Sequence, residues 1–217
     1  MLNHNRIENH RRFLVKGLLI GWGIIVGSAT FAANTMNMDM SEHAHHHDSN
    51  ANAALKRSTA DYKIPALKLV RNDGTTTLFP KEIDDGRPVI LDFIYTSCTA
   101  VCPLTSQVFS QVQNILAKDH EKVHLVSISI DPEYDTPERL TAYAKKFNAS
   151  SQWQHYTGTV ETSIAMQKAF DAYRGDKMNH IPLTFIRAAP DKPWVRLDGF
   201  ANPDEVVSEF HHLALNR

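Results

Sequence analysis

The two cysteines of this 217-residue chain, Cys98 and Cys102, lie close together in the stretch FIYTSCTAVCPLT. Three residues separate them, so their spacing is C-x-x-x-C. A cysteine thiolate is both a nucleophile and a ligand for soft metal ions, and two neighbouring cysteines can also form a disulfide. The pair therefore indicates one of three kinds of site: a redox couple, a metal site or a structural crosslink.

The spacing of the pair bears on the choice among these sites. Familiar dithiol reductases use C-x-x-C, with one residue fewer between the cysteines. If Thr99 to Val101 were helical, the two sulfurs would lie on one helix face at i and i+4, within reach of a shared soft ion. A disulfide between the two cysteines is the third alternative. As a structural crosslink it would close a short loop and stabilise the fold little.

The elements around the cysteines place them at the edge of a predicted sheet. PVILDFIY, residues 88–95, is nearly continuous in apolar and β-favouring residues, which is typical of a strand covered on both faces. Apolar residues then recur at helical spacing to about Lys118, and Pro103 suits a first helical turn. Cys98 is thus predicted in a strand-to-helix turn and Cys102 at the helix entrance, where free N–H groups lower a thiol's pKa.

The remaining periodicity predicts a single α/β domain over residues 62–217. In chain order we predict a leading hairpin around Asn72-Asp73-Gly74, a strand over 88–95, a helix to about Lys118, a strand over 124–130, a helix capped by Asp135 or Thr136, a helix over 160–173, strands over 182–187 and 194–200, and a helix capped from Asn202. This order is that of a thioredoxin-like fold with a leading β-hairpin. Ligands in such sheets collect at the carboxyl ends of the strands, where the cysteines lie.

Residues 1–33 are predicted to be a signal peptide or a membrane anchor. Arg11, Arg12 and Lys16 precede an uncharged run, Gly17 to Ala33, that closes in small residues suited to cleavage. The same run is at the lower limit for spanning a bilayer. We therefore expect a periplasmic protein, soluble or anchored to the inner membrane. In that oxidising compartment a free dithiol needs a thiol reductant or a metal to stay reduced.

Residues 34–61 are predicted to be a flexible linker rich in methionine and histidine. Its tract MNMDMSEHAHHH, residues 36–47, has no apolar periodicity. Thioether beside imidazole is a ligand mixture that suits copper in both oxidation states. The alternative interpretation is that the tract is a solvated tether that binds no metal.

The charge balance excludes nucleic acid as a partner. The formal net charge is −1, and charges of both signs are mixed along the chain. Such a distribution gives neither the basic face that nucleic acid requires nor an acidic tail.

Two motifs and a later histidine carry a resemblance to a known family. They are FIYTSCTAVCP, SIDPEYDTPERL and the histidine of NHIPLTFI. Together they resemble the SCO/SenC family, exported copper proteins of thioredoxin fold that help to assemble the binuclear copper site of cytochrome c oxidase. The resemblance implies a metallochaperone in which Cys98, Cys102 and His180 bind one copper ion, as Cu(I) or Cu(II). The implied partner is the oxidase subunit that carries the binuclear copper site, or another cuproprotein.

The sequence departs from the family pattern around His180. Many members have an aspartate before the histidine and no proline after it, whereas this chain has Asn179-His180-Ile181-Pro182. Ile-Pro before a strand resembles the cis-proline loop that lies against the dithiol in thioredoxins. This feature favours the alternative function, a periplasmic thiol-disulfide oxidoreductase whose redox-active pair, Cys98 and Cys102, reduces cysteines of a partner's copper site.

Three aspartates are expected at the same end of the sheet. Asp92 lies in the predicted central strand, and Asp131 and Asp135 lie in the segment DPEYDTP. We interpret them either as capping and turn residues or as groups that orient metal ligands or face a recipient protein.

Overall fold

The computed structural model describes residues 55–118 and 122–215, which form a mixed eight-stranded sheet flanked by helices. The strands are β1 (Lys56–Ala60), β2 (Lys68–Arg71), β3 (Thr76–Leu78), β4 (Val89–Ile94), β5 (His124–Ser129), β6 (Trp153–Thr157), β7 (Leu183–Arg187) and β8 (Trp194–Asp198). The helices are α1 (Phe79–Ile83), α2 (Val101–Lys118), α3 (Pro137–Lys146), α4 (Val160–Ala169) and α5 (Pro203–Leu215), and a short 3-10 helix covers Lys177–Asn179.

The predicted signal peptide or anchor, residues 1–33, lies outside the described residues. So do residues 34–54 of the predicted linker, with its methionine and histidine tract. In the part of the chain that the structure describes, no helix has the length and apolar character needed to cross a bilayer.

Strand β4 lies in the middle of the sheet, whose strand order is β1-β8-β7-β4-β5-β6-β2-β3. It runs parallel to β5, which runs parallel to β6, and the other neighbouring strands are antiparallel. Every residue of β4 is buried. The continuous apolar run over 88–95 therefore predicted a covered central strand correctly, because such a strand needs apolar side chains on both faces.

Two apolar cores lie on opposite faces of this sheet. Because side chains alternate along a strand, Ile90 and Ile94 of β4 point to one core and Leu91 and Phe93 to the other. Residues of α2, α3 and α5 complete the first core, and residues of α1 and α4 complete the second. The helix that carries Cys102 is thus held against the sheet by the first core.

The predicted caps of two helices are present. The side chain of Thr136 accepts a hydrogen bond from the N–H of Arg139 at the start of α3. Asn202 and Glu205 form a reciprocal pair at the start of α5, in which each side chain accepts from the backbone N–H of the other, at 3.0 and 2.7 Å. Both arrangements satisfy N–H groups that lack a partner within the helix.

Two strands lie where the sequence predicted none. Strand β6 joins β5 to β2, although its polar residues Gln154 and His155 interrupt the apolar pattern. Strand β1 pairs with β8 and lies inside the predicted linker 34–61. The folded part therefore begins before Tyr62, the expected start of the domain. Both strands are defined by long-range pairing and not by their own pattern.

Candidate metal and thiol site

Cys98 and Cys102 lie beyond the carboxyl end of β4, as predicted. A turn follows β4, in which the N–H of Cys98 donates to the carbonyl of Tyr95 at 3.1 Å. Helix α2 then begins at Val101, so Cys102 is in its first turn and Cys98 precedes it. Pro103 is tolerated in this turn because the first N–H groups of a helix have no partner within it.

The two thiols are reduced and lie together in one region beyond the carboxyl end of β4, which we call the corner. Both cysteines are free, and their side chains are buried. The N–H of Cys102 donates to the sulfur of Cys98 at 3.4 Å, and the N–H of Tyr95 donates to the sulfur of Cys102 at 3.5 Å. The turn therefore brings each sulfur against a backbone donor and brings the cysteines against each other.

The pKa values of the two thiols shift in opposite directions. Burial raises the pKa of Cys98, but hydrogen bonds from the N–H groups of Cys102 and Ala100 and from the Tyr95 hydroxyl outweigh burial, so this pKa is lowered overall. Burial raises the pKa of Cys102 far above its ordinary value, and the charges of Cys98 and Asp92 raise it further. At neutral pH Cys98 therefore ionises more readily than Cys102, which keeps its proton.

Tyr95 connects Cys98 to the loop that carries His180. Its hydroxyl hydrogen-bonds the sulfur of Cys98 and lies 3.9 Å from the sulfur of Met178. Its ring meets the ring of His180 edge-on, with 6.2 Å between centroids. Burial and the contact with Cys98 raise the pKa of Tyr95 to about 12, so the hydroxyl stays a donor at neutral pH.

His180 lies in the same corner but does not join the cysteines in one coordination geometry. Among the described residues, no three His, Cys, Asp or Glu side chains are arranged to hold a metal ion. Burial lowers the pKa of His180 to about 4, and its ring hydrogen-bonds the backbone of Phe93. A neutral imidazole with one nitrogen held this way leaves the other nitrogen's lone pair available to a metal.

The loop after His180 differs from the thioredoxin-like arrangement that the sequence suggested. The described residues contain no cis peptide bond, so Ile181–Pro182 is trans and the cis-proline expectation is wrong. Instead, the carbonyl of Pro182 accepts a hydrogen bond from the N–H of Gly199 at 3.1 Å, which fixes this loop to the end of β8. The alternative function loses the support that it drew from Pro182.

Asp135 holds the turn that carries the cysteines. Its buried carboxyl group accepts hydrogen bonds from the N–H of Thr96 at 3.1 and 3.2 Å, from the Thr96 hydroxyl at 2.5 Å and from the Ser129 hydroxyl at 2.6 Å. Burial raises its pKa despite these donors. Asp135 thus joins the cysteine turn to the end of β5, while Thr136 caps α3.

Asp131 joins the loop after β5 to the loop before His180. Its carboxylate forms an ion pair with Lys177, with 2.5 Å between Oδ2 and Nζ. The same ammonium group lies 5.7 Å from the centre of the Tyr95 ring. This contact positions the His180 loop beside Tyr95.

A row of polar side chains crosses the sheet beneath the helices that cover the first core. Asp92, Ser127 and His155 are in register on β4, β5 and β6. The hydroxyl of Ser127 donates to Asp92 Oδ1 at 2.6 Å and accepts from the indole N–H of Trp153 at 2.9 Å. Within the described residues, Asp92 Oδ2 and both ring nitrogens of His155 lack a hydrogen-bond partner. Burial raises the pKa of Asp92 to about 7 and lowers that of His155 to about 3.

Sequence reasoning identified the cysteines and placed His180 near them, but it missed two residues of this corner. Tyr95 was counted only as the last residue of a strand, and Met178 was not considered. The signals were present: Tyr95 lies three residues before Cys98, and Met178 lies two residues before His180. The corner as a whole holds two thiols, of which Cys98 ionises more readily, and a neutral imidazole, and these groups can bind a soft metal ion or exchange a disulfide.

Comparison with curated proteins finds relatives of this chain. It is 28% identical over 105 residues to the SCO1 protein homolog of Bacillus subtilis (strain 168). The match covers 48% of this chain and 53% of that protein, so the chain spans about half the length of this curated relative.

Two solved structures have the same fold. BsSco, described as a member of the Sco family of cytochrome c oxidase assembly proteins in work on its disulfide switch, has a TM-score of 0.62 at 22% identity, over 74% of this chain and 98% of that chain. Yeast Sco1 with copper bound has a TM-score of 0.62 at 16% identity, over 72% and 91% of the two chains. These likenesses confirm the predicted thioredoxin-like α/β fold.

The family model described as SCO1/SenC matches residues 57–214. The match contains Cys98, Cys102, His180 and nearly all of the described residues. It begins within β1, at Arg57, and ends within α5. With most of its length covered, this chain belongs to the SCO1/SenC family.

Proposed function

We propose that this protein is a metallochaperone that holds one copper ion through Cys98, Cys102 and His180. It delivers the ion to a cuproprotein, and the recipient we favour is the binuclear copper site of cytochrome c oxidase. The observation that carries the proposal is the pair of reduced thiols brought together beyond β4 with a neutral imidazole in the same corner. Copper bound to yeast Sco1 and the family description of BsSco support it.

The donor set suits copper as a cargo. Thiolates are soft ligands that hold Cu(I), and imidazole adds affinity for Cu(II), so two thiolates and one imidazole serve both oxidation states. Tyr95 contacts both Cys98 and His180, and among the described residues the three ligands are not arranged around one point, so binding by all three requires Tyr95 or the His180 loop to move. A site that closes over its cargo can also open to release it.

Loading depends on the redox state of the cysteines. If an oxidant takes two electrons from the pair, both thiol protons are lost and a Cys98–Cys102 disulfide forms, which offers no thiolate to copper. A thiol reductant restores the loading-competent form. We place the protein in the periplasm, soluble or held at the inner membrane by residues 1–33. Because that compartment is oxidising, a thiol reductant is needed there to return the pair to the form that binds copper.

The unequal thiols also favour a second candidate function, thiol-disulfide exchange with a partner's copper site. The Cys98 thiolate would attack one sulfur of the partner's disulfide and release the other as a thiolate. Cys102, after giving up its proton, would then attack the sulfur of Cys98 and release the partner's second thiolate. The partner gains two electrons and this chain keeps a Cys98–Cys102 disulfide, which a thiol reductant must reduce.

Replacing His180 separates the two functions, because imidazole is a ligand in the first and has no role in the second. In His180→Ala we expect the Kd for Cu(II) to rise about tenfold or more, with an unchanged rate of exchange against a small disulfide. Competition with a chelator and the absorbance of the released thiol measure the two quantities. His212→Ala, on α5, is the matched control. Unchanged copper affinity together with an unchanged rate of exchange would favour the oxidoreductase instead.

A further inference from the structure

Met178 is an exposed methionine in the loop that carries His180. Its side chain is 75% exposed, whereas methionine side chains are more often buried in folded domains. Single exposed apolar residues are common and do not by themselves mark a site. The position of the Met178 sulfur is what distinguishes this residue.

The sulfur of Met178 lies beside the hydroxyl group that contacts Cys98. The distance from Met178 Sδ to the Tyr95 hydroxyl is 3.9 Å, and the same hydroxyl is near enough to the Cys98 thiol to help lower its pKa. One hydroxyl group is therefore a common neighbour of the thioether and the thiol.

Backbone contacts on both sides of Met178 hold it in this position. Its N–H donates to the carboxylate of Asp176 at 2.8 Å, and the N–H of His180 donates to the carbonyl of Lys177 at 3.1 Å. The ion pair of Lys177 with Asp131 fixes the same turn to the loop after β5. Met178 is thus placed at the hydroxyl end of Tyr95 while His180 packs against its ring.

We propose that Met178 supplies a third sulfur ligand to Cu(I) held at Cys98 and Cys102. The inference rests on the proposed copper function and extends its ligand set to the thioether. A thioether is neutral and soft, so it stabilises Cu(I) in preference to Cu(II). The step is a ligand exchange: the thioether takes the place of one ligand that the incoming Cu(I) complex carries, and neither an electron nor a proton is transferred.

The test compares the reduced full-length chain with its Met178→Leu variant, which keeps the apolar shape of the side chain and removes the sulfur. Each is loaded with a sub-stoichiometric amount of Cu(I) supplied as its acetonitrile complex. X-ray absorption at the copper edge counts the sulfur neighbours, and competition with bicinchoninate measures the Cu(I) affinity. We expect Met178→Leu to lose one sulfur neighbour and to bind Cu(I) about tenfold or more weakly, with an unchanged Cu(II) affinity.

Two comparisons isolate the thioether. Met166→Leu removes a sulfur from the buried core of α4, and we expect its copper site to match that of the wild-type chain. Met36, Met38 and Met40 are present in every chain compared, so they do not contribute to the difference.

Each other result overturns the inference. The same sulfur count and Cu(I) affinity in Met178→Leu would show that Met178 is not a ligand, and the copper function of the cysteines would stand. A normal copper site combined with slower delivery to a recipient would assign Met178 to the recipient's contact surface instead. Absence of copper at the cysteines of the wild-type chain would overturn both this inference and the proposed function.

Discussion

Cys98 and Cys102 differ chemically because Cys98 has more hydrogen-bond donors around its sulfur and is slightly less buried than Cys102. The Tyr95 hydroxyl and two backbone N–H groups stabilise the Cys98 thiolate, which offsets the cost of burying its charge. Cys102 is fully buried, and the desolvation of its thiolate outweighs the single N–H group of Tyr95. The helix N-terminus that the sequence predicted therefore favours a thiolate at one position and not at the other.

This difference predicts selective alkylation of Cys98. We expect iodoacetamide at pH 7 to modify Cys98 in Cys102→Ser at least about tenfold faster than Cys102 in Cys98→Ser, because only thiolates react. The Cys98 rate should reach its plateau at a lower pH than an ordinary thiol's does. Mass spectrometry measures both rates, and the same variants unfolded in urea provide the control. Equal rates in the folded chains would contradict the assigned environments.

Asp92 makes the stability of the fold depend on pH. Burial raises its folded-state pKa to about 7 from an ordinary value of 3.8. Between these values the folded chain binds more protons at Asp92 than the unfolded chain does. Its contribution to the free energy of unfolding is therefore present below pH 4 and is lost as the pH rises through 7.

Replacing Asp92 by Asn should remove this dependence. Between pH 4 and pH 8 we expect the wild-type chain to lose a few kcal/mol of unfolding free energy relative to Asp92→Asn, since each unit of pKa shift corresponds to about 1.4 kcal/mol. Urea unfolding of the reduced chains at both pH values measures the difference. Asp204→Asn, at an exposed position on α5, is the control and should follow the wild-type chain. Parallel pH profiles for wild type and Asp92→Asn would refute this role.

Among the helices and strands, the sequence predicted correctly those that can be recognised from the residue pattern of their own segment. Strand β4 lies over Val89–Ile94 within the predicted 88–95, and α2 ends at Lys118 as expected, because continuous apolar residues and helical periodicity are properties of each segment alone. Strand β6 could not be found this way. His155 is polar yet buried, and its strand is defined by neighbours that are distant in the chain.

The turn between β4 and α2 depends on one carboxyl group from another element. The Asp135 carboxyl group accepts hydrogen bonds from the N–H and hydroxyl of Thr96 and from the hydroxyl of Ser129. Its removal therefore leaves these buried and half-buried donors without an acceptor. We expect Asp135→Ala to lower the free energy of unfolding by about 2–4 kcal/mol. Urea unfolding measures the change. Glu133→Ala, exposed in the same loop, is the control and should be nearly neutral; an equally small effect of Asp135→Ala would contradict the positioning role.

At the scale of the whole molecule, the candidate site is assembled from three separate segments. The cysteine turn follows β4, Asp131 and Asp135 follow β5, and the loop with Met178 and His180 precedes β7. The predicted topology placed the cysteines and the aspartates at one end of the sheet, and the family resemblance added His180 to them. Neither could predict that Tyr95 contacts both Cys98 and His180, because that depends on how the side chains pack at this end of the sheet.

The proposed copper site requires both Cys98 and Cys102. This requirement is tested most directly by counting the copper that the reduced full-length chain retains against a competing chelator, in the wild type and in Cys98→Ser, Cys102→Ser and the double variant. We predict that each single variant retains one copper fewer per chain than the wild type, and that the double variant loses no more than either single one, since both thiolates serve one ion. Equal copper retention in all four chains would show that the cysteines do not hold the copper.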